Sequence, residues 1–437
     1  MKVYYITFGC KVNLCETEAL KSEFASAGFE ATQDETIADI YIVNSCTVTA
    51  VSDKKVRQTL NRLKTEYPNS TIVLTGCYPQ AFKEQAERIS TVDVVTGTKD
   101  RKKIVDLVKQ YLDTNNRMVS INEYTNSDTF ESIPMGTFDN KTRGFVKVQD
   151  GCNRFCTYCI IPYARGRIRS KPLADVEAEV KSLVSYGHKE IVLVGINLMF
   201  YGVEFGKRLV DVVEVCSKVE GVERIRLGSL EPEVITNDDL VRLSKVKQFC
   251  PQFHLSLQSG CDTTLKDMHR AYTTKEYYDL VCNIREIFPD SAITTDIMVG
   301  FPKETDQDFI QSMEYVKKIG FAKVHVFPYS RRSGTVADKF PQQVTKAVKR
   351  QRATKMTETA KLCQSEYLKR QVGSVYPVLF EKENDDTYYH GYTPNYILVK
   401  VPKQGTNFGD SLRNSILNVK LLSYQQDYCI GQIVINS

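Results

Sequence analysis

The segment CNRFCTYC (152–159) places Cys152, Cys156 and Cys159 at C-x3-C-x2-C spacing. Thiolates this close together hold zinc or an iron–sulfur cluster. A structural zinc takes four protein ligands, and a 4Fe–4S cluster has four irons to ligate. Three cysteines leave two options: a fourth ligand from elsewhere, or one position kept open. The next histidine, His188, is far downstream at a predicted helix end. That count disfavours a zinc loop.

A second set lies upstream. ITFGC, IVNSC and VLTGC end at Cys10, Cys46 and Cys77, each directly after an apolar run that reads as a strand. In a parallel sheet such ends share one edge, and ligands bind just outside it. Thiols 36 and 31 residues apart can therefore converge in space. Any one of them alone reads as a small buried hydrophobe; three at the same structural position point to a common ligand. Gly9 and Gly76 allow the backbone to turn tightly beside it. Cys15, Cys216, Cys250, Cys261, Cys282, Cys363 and Cys429 show no such pattern and are assigned to packing or surface.

The elements that must position these residues follow from hydrophobic periodicity. Residues 1–112 alternate strand and helix, the signature of a parallel sheet with covering helices. Residues 113–143 are polar and weakly periodic and read as a linker. Over 144–371 the alternation restarts, with strands expected at 144–149, 190–195, 224–229, 253–258, 292–300 and 322–329. That predicts a partial TIM-like barrel closed off by a long helix at 341–370. Residues 372–437 hold short strands with no helices between them, as in a small antiparallel, OB-like β-barrel. The overall class is α/β. In the barrel, as in the first domain, the cysteine loop follows a strand, at the mouth where chemistry sits.

The chain of 437 residues with 42% apolar residues supports several cores, and its net charge of +5 permits a nucleic-acid partner without requiring one. No run reaches the roughly 18 apolar residues of a membrane span, and the start MKVYYITFGC lacks a cleavage signal. A cytoplasmic, reducing location with no membrane partner is expected, where clustered cysteines bind metal rather than pair.

The cysteine spacing, with Tyr158 before the last thiol, resembles the radical SAM superfamily. The resemblance implies that Cys152, Cys156 and Cys159 hold three irons of a 4Fe–4S cluster. The fourth iron chelates S-adenosylmethionine (SAM), which is cleaved to a 5′-deoxyadenosyl radical. Further segments fit in order. LVGIN (193–197) implies Asn197 as the contact to the SAM amino group. LGSLEP (227–232) brings Ser229 and Glu231, and HLSLQSGCDTTLKDMHR (254–270) brings Gln258 to the ribose and Arg270 to the carboxylate. IMVGFPKET (297–305) and VFPYSRRSGT (326–335) resemble the fifth and sixth strand segments. Tyr158 belongs to the same SAM site.

The whole chain resembles the methylthiotransferase family, built from an N-terminal three-cysteine domain, a radical SAM barrel and a C-terminal TRAM barrel. This implies a second 4Fe–4S cluster on Cys10, Cys46 and Cys77, with an open iron able to carry sulfur, and SAM as both radical source and methyl donor. GCKVN (9–13), CIIPYARGRIRS (159–170) and HGYTPNYILVKV (390–401) resemble the MtaB-type branch, which acts on N6-threonylcarbamoyladenosine at position 37 of tRNA. Leu14-Cys15, where the branch reads Gln-Tyr, is a departure. Rival readings are methylthiolation of isopentenyladenosine in tRNA, methylthiolation of a ribosomal-protein aspartate, and a non-catalytic Fe–S or zinc RNA-binding protein. The sequence names neither a sulfur donor nor a reductant.

A tRNA partner predicts basic surface. Arg165, Arg167, Arg169 and Lys171 alternate after the cluster loop, and Arg331 and Arg332 follow the sixth strand. Arg165, Arg167, Arg331 and Arg332 are expected to bind substrate, Arg165 and Arg167 by meeting the threonyl carboxylate. Residues 341–370 carry eight Lys/Arg against two Glu, whereas 372–437 carry five Lys/Arg against six Asp/Glu. The last domain must therefore grip RNA through Tyr388, Tyr389, Tyr392 and Tyr396 rather than bulk charge.

Overall fold

The computed structural model describes residues 1–134, 136, 141–381, 386–404 and 411–434. Six parallel strands form the N-terminal sheet: β1 (Lys2–Thr7), β2 (Glu30–Ala31), β3 (Ile40–Ser45), β4 (Thr71–Gly76), β5 (Val94–Thr96) and β6 (Met118–Ser120), in the order β2-β1-β3-β4-β5-β6. β3 and β4 are buried along their whole length, as expected of central strands covered on both faces. β6 lies inside the segment 113–143 expected to be a linker. Its pairing with β5 extends the first domain past residue 112, because Met118–Ser120 fills an open sheet edge that would otherwise be left with unpaired backbone groups.

The middle of the chain is the expected partial barrel. Its strands are β7 (Arg143–Lys147), β8 (Gln149–Asp150), β9 (Arg169–Ser170), β10 (Glu190–Val194), β11 (Arg224–Leu227), β12 (Ser229–Leu230), β13 (Gln252–Leu255), β14 (Ala292–Val299) and β15 (Lys323–Pro328). One parallel set runs β11-β10-β7 and the next β12-β13-β14-β15. A parallel bridge between Ile225 and Phe249 links them, so the principal strands follow one another in chain order. β8 and β9 pair as a separate ribbon under the cluster loop.

Helix Lys346–Gln371 packs along β15 on the outer side of the barrel. It is less free than its charge suggests: Arg352 is buried against Glu304 (3.0 Å) and Asp306 (2.7 Å), and Lys349 donates to the Tyr329 carbonyl (3.0 Å). Five strands then close a barrel in the order β16-β17-β18-β20-β19: β16 (Val375–Phe380), β17 (Tyr388–Tyr392), β18 (Leu398–Pro402), β19 (Ile416–Gln425) and β20 (Tyr428–Ile433). All pairs are antiparallel except β18 with β20. Closure removes the sheet edges that so short a domain would leave bare.

Candidate active site

The first cysteine trio stands where strand-end topology predicts. Cys10 precedes helix Lys11–Ser26, Cys46 follows β3, and Cys77 opens helix Cys77–Ala81 directly after β4. Two asparagines tie the three loops together. Asn13 Nδ2 donates to the carbonyls of Phe8 and Ser45 (both 3.0 Å), and Asn44 Nδ2 donates to the Asn13 carbonyl (2.9 Å). Gly9 (φ +108°) is required: a Cβ there would stand 2.7 Å from Cys46 Cβ and 3.0 Å from its sulfur. Burial pushes the Cys77 thiol up to about 12, with Arg165 pulling the other way. Loading metal here therefore releases protons.

The second trio lies in the loop after β8. Gly151 (φ +73°) turns it, and Cys152 N–H donates to the Gly166 carbonyl (3.0 Å). Thr157 anchors its far end, donating from N–H to Met268 O (3.1 Å) and from Oγ1 to Asp267 O (2.8 Å). Asn197 Nδ2 donates to Cys152 Sγ (3.5 Å), and Arg270 Nη1 to Cys156 Sγ (3.3 Å). Tyr158 packs edge-on against Phe301.

Several expected contacts sit differently. Arg270 is bound to Glu231 and to the Ser256 carbonyl (3.1 Å) as well as to Cys156, so it orients the cluster loop instead of offering a free guanidinium. Gln258, at φ +67°, bridges to β14 through Asp296 O (2.9 Å) and Met298 N–H (2.8 Å). Ser229 faces open space beside the β11 end.

The expected row of substrate-binding arginines is corrected. Arg165 is wholly buried: it binds Glu16, Asn13 Oδ1 (2.8 Å) and, through Nε, Cys77 Sγ (3.2 Å). Arg332 is buried against Asp53 (2.8 Å) and Thr47 (2.6 Å). Arg169 and Lys171 are buried too, donating to the Arg165 carbonyl (2.9 Å) and pairing with Glu179. For Arg165 and Arg332 the reason is the first domain, which supplies Glu16 and Asp53; for Arg169 and Lys171 it is Asp150 and Glu179 of the barrel itself. Only Arg167 and Arg331 stay exposed, and Arg331 is paired with Asp338. Three of the four tyrosines expected to grip RNA from the last domain are also committed. Tyr389 is core, while Tyr392 and Tyr396 stack on one another (4.7 Å) under Arg143 and Arg226 of the barrel.

A cavity of about 770 Å³ unites the parts. Cys10 and Lys11 line it from the first domain, Gly195, Ser229, His254, Asp296 and His325 from the barrel, and Tyr392 and Tyr396 from the last. Its polar strip was missed in the sequence: His254 lies 3.5 Å from Asp296 and 3.0 Å from Thr294 Oγ1, with the His325 ring tilted against it at 5.9 Å. Burial lowers the His325 pKa, so the ring stays neutral and can both donate and accept. The only signal was alternation along β13 and β15, which says that a side chain faces inward but not that the interior is hollow.

Residues 2–97 match Uncharacterized protein family UPF0004, and residues 146–316 match the Radical SAM superfamily. Threonylcarbamoyladenosine tRNA methylthiotransferase MtaB of Bacillus subtilis (strain 168) is 36% identical over 99% of this chain and 96% of its own. The protein of that name from Aquifex aeolicus (strain VF5) is 35% identical over 92% and 96%. This chain belongs to the radical SAM methylthiotransferase family. A more distant family member, the tRNA-2-methylthio-N(6)-dimethylallyladenosine synthase of Clostridium botulinum (strain Hall / ATCC 3502 / NCTC 13319 / Type A), is 34% identical over 95% and 93%. The radical SAM methyltransferase TsrM of Kitasatospora setae, solved with cobalamin and a [4Fe-4S] cluster bound, shares the fold alone: TM-score 0.56, 12% identity, 77% of this chain and 76% of that one.

Methylthiotransferases are enzymes that use SAM and 4Fe–4S clusters, and the residues here fit those groups. Each trio supplies three thiols, with hydrogen-bond donors aimed at the sulfurs. Among the described residues no three metal-ligating side chains crowd round one point as a single ion would require; a cubane spreads its thiolates over separate irons. Asn197 Oδ1 is buried beside Cys152 with no partner, an acceptor suited to an ammonium group such as that of SAM. Among the described residues, no helix is long and apolar enough to cross a membrane.

Proposed function

We propose that the protein inserts a methylthio group at C2 of N6-threonylcarbamoyladenosine at position 37 of tRNA, in the cytoplasm. Replacing an aromatic C–H offers no acid, base or leaving group to exploit. When bound, the two clusters and SAM supply hydrogen abstraction, sulfur and the methyl group. The chain's own residues bind, orient and exclude water. The observation that carries this reading is the single cavity lined both by Cys10 of one trio and by the strand ends Gly195 and Ser229 beside the other. A base in that space would lie beside Cys10 and at the strand ends that lead to the second trio.

The base must first leave the anticodon-loop stack, at a cost of about a few kcal/mol. In the cavity, Thr294, His254 and Asp296 offer donors and acceptors to its edges, while Leu227, Phe327 and Ile397 supply apolar wall. Outside, Arg167 and the exposed face of helix Lys346–Gln371, with Lys346, Arg350, Lys355 and Lys361, offer phosphate contacts. Binding through them weakens as salt rises.

Mass spectrometry of tRNA nucleosides from cells lacking the native activity tests the substrate. The gene should restore 2-methylthio-N6-threonylcarbamoyladenosine, and Cys152→Ala should abolish it. Gain of the methylthio group on isopentenyladenosine alone would overturn the substrate while leaving the chemistry intact. No change in any nucleoside would turn the search to a ribosomal-protein aspartate.

A further inference from the structure

We infer that Lys11 binds the terminal carboxylate of the modified nucleoside and so sets substrate specificity; the inference rests on the substrate just proposed. Lys11 directly follows the ligand Cys10 and lines the cavity. Its side chain leaves the first domain and enters the barrel, where the ammonium stands 6.0 Å from the Phe145 ring of β7. It forms no ion pair among the described residues. The carboxylate that acts on it from the barrel wall, Glu190, is already held by Arg226 (2.8 Å) and Arg224 (3.5 Å). Arg143, also nearby, is matched by Glu381 (2.8 Å) and Tyr396 (2.6 Å). Lys11 is thus a solvent-exposed cation on the cavity wall with no carboxylate partner among the described residues. An anionic group entering the cavity can pair with it by a charge-assisted hydrogen bond.

Geometry selects the threonyl carboxylate. In adenine, C2 and C6 flank the same ring nitrogen. A chain on N6 that turns to the N1 side, and not toward N7, runs along the edge that carries the reacting carbon. In that orientation its terminal carboxylate reaches toward whatever delivers sulfur to C2, and Lys11 is covalently next to Cys10, a proposed ligand of that centre. Of the expected partners, Arg165 is buried in an ion pair and Arg167 is exposed elsewhere; neither lines the cavity. Lys323, the other cavity cation without a carboxylate partner among the described residues, opens β15 on a different wall.

The test pairs protein and substrate changes. Reconstituted full-length wild type, Lys11→Met and Lys11→Arg are assayed on tRNA bearing the free threonyl acid and on the same tRNA with that acid methyl-esterified. Tight-binding affinity for each tRNA is measured alongside turnover, and iron content confirms that both clusters are loaded. Wild type and Lys11→Arg should favour the acid by about 10- to 100-fold in kcat/KM and in affinity, and Lys11→Met should treat both tRNAs alike. The acid-to-ester ratio is internal to each protein, so partial misfolding cannot mimic it. Lys11→Met retaining the wild-type ratio would overturn the inference, as would the same collapse of the ratio in Lys323→Met but not in Lys11→Met. Wild type inactive on the free-acid tRNA, yet active on isopentenyladenosine tRNA, would instead remove the substrate reading itself.

Discussion

At the residue scale, the site depends on a few backbone positions that only glycine can hold. A Cβ on Gly151 would lie 1.8 Å from the Arg167 carbonyl oxygen, and the residue sits at φ +73°. Neither the carbonyl nor the turn can yield, because Cys152 bonds to Gly166 in the same ribbon. Gly151→Ala should displace Cys152 and lose one cluster: iron per chain falling from about eight to about four, with product abolished, measured by iron assay on reconstituted protein. Full iron content in the variant would show that the loop tolerates the clash. The placement of the two cysteine trios was legible because thiol spacing is local and strand ends are marked by composition. Arg165 was misassigned because an arginine looks the same in sequence whether it faces RNA or, as here, a buried carboxylate and a thiol.

At the scale of elements, the strand-five loop 300–305 is fixed to helix Lys346–Gln371 through Glu304. Its carboxylate accepts from Gly300 N–H and from Arg352 (3.0 Å). Burial raises the Glu304 pKa to about 7, against the pull of Arg352. A carboxyl with a raised folded pKa contributes stability that is full below about pH 4.5 and is lost as pH rises through about 7. Wild type should therefore lose stability relative to Glu304→Gln as pH goes from about 5 to about 8, by at most about 3 kcal/mol, with Tm falling accordingly. Scanning calorimetry at several pH values reads it, and parallel curves for the two proteins would refute it. The order of strands and helices was readable from periodicity. The capture of residues 118–120 by the first sheet was not, since three residues carry too little pattern to mark a strand.

At the scale of the whole molecule, three domains are locked round one cavity by buried charge. Glu16 of the first domain meets Arg165 and Lys147 (2.7 Å) of the barrel and Arg101 (2.5 Å) of its own domain; Asp150 meets Lys147 (2.5 Å) and Arg169 (3.7 Å). Burial alone would raise the Glu16 pKa, but Arg101, Arg165 and Lys147 together hold its carboxyl below the usual range. At the other end, Arg224 and Arg226 donate to the carbonyls of Tyr392 (2.9 Å) and Pro394 (2.9 Å), docking the small barrel on the large one. Glu16→Gln leaves Arg101, Lys147, Arg165 and Arg169 to share Asp150, with only Arg101 keeping a second carboxylate, Glu131, and should cost about 3–5 kcal/mol. Denaturant unfolding and faster protease cleavage within residues 113–134 would report it. Unchanged stability and cleavage would mean that the interface holds without this charge.

The two cysteine trios at strand ends, the order of α/β and β segments and the class of chemistry were determined by the sequence itself. Each depends on residues close in the chain or on one periodicity repeated. Which cations serve substrate was decided only by tertiary structure. Charge is visible in the sequence, but its neutralisation is not: Glu16 reaches Arg165 across 149 positions and Asp53 reaches Arg332 across a longer span still. Folding brings those carboxylates to those arginines and leaves Lys11 on the cavity wall with none among the described residues, because a cavity exists only once the first domain and the small barrel close the open side of the central one.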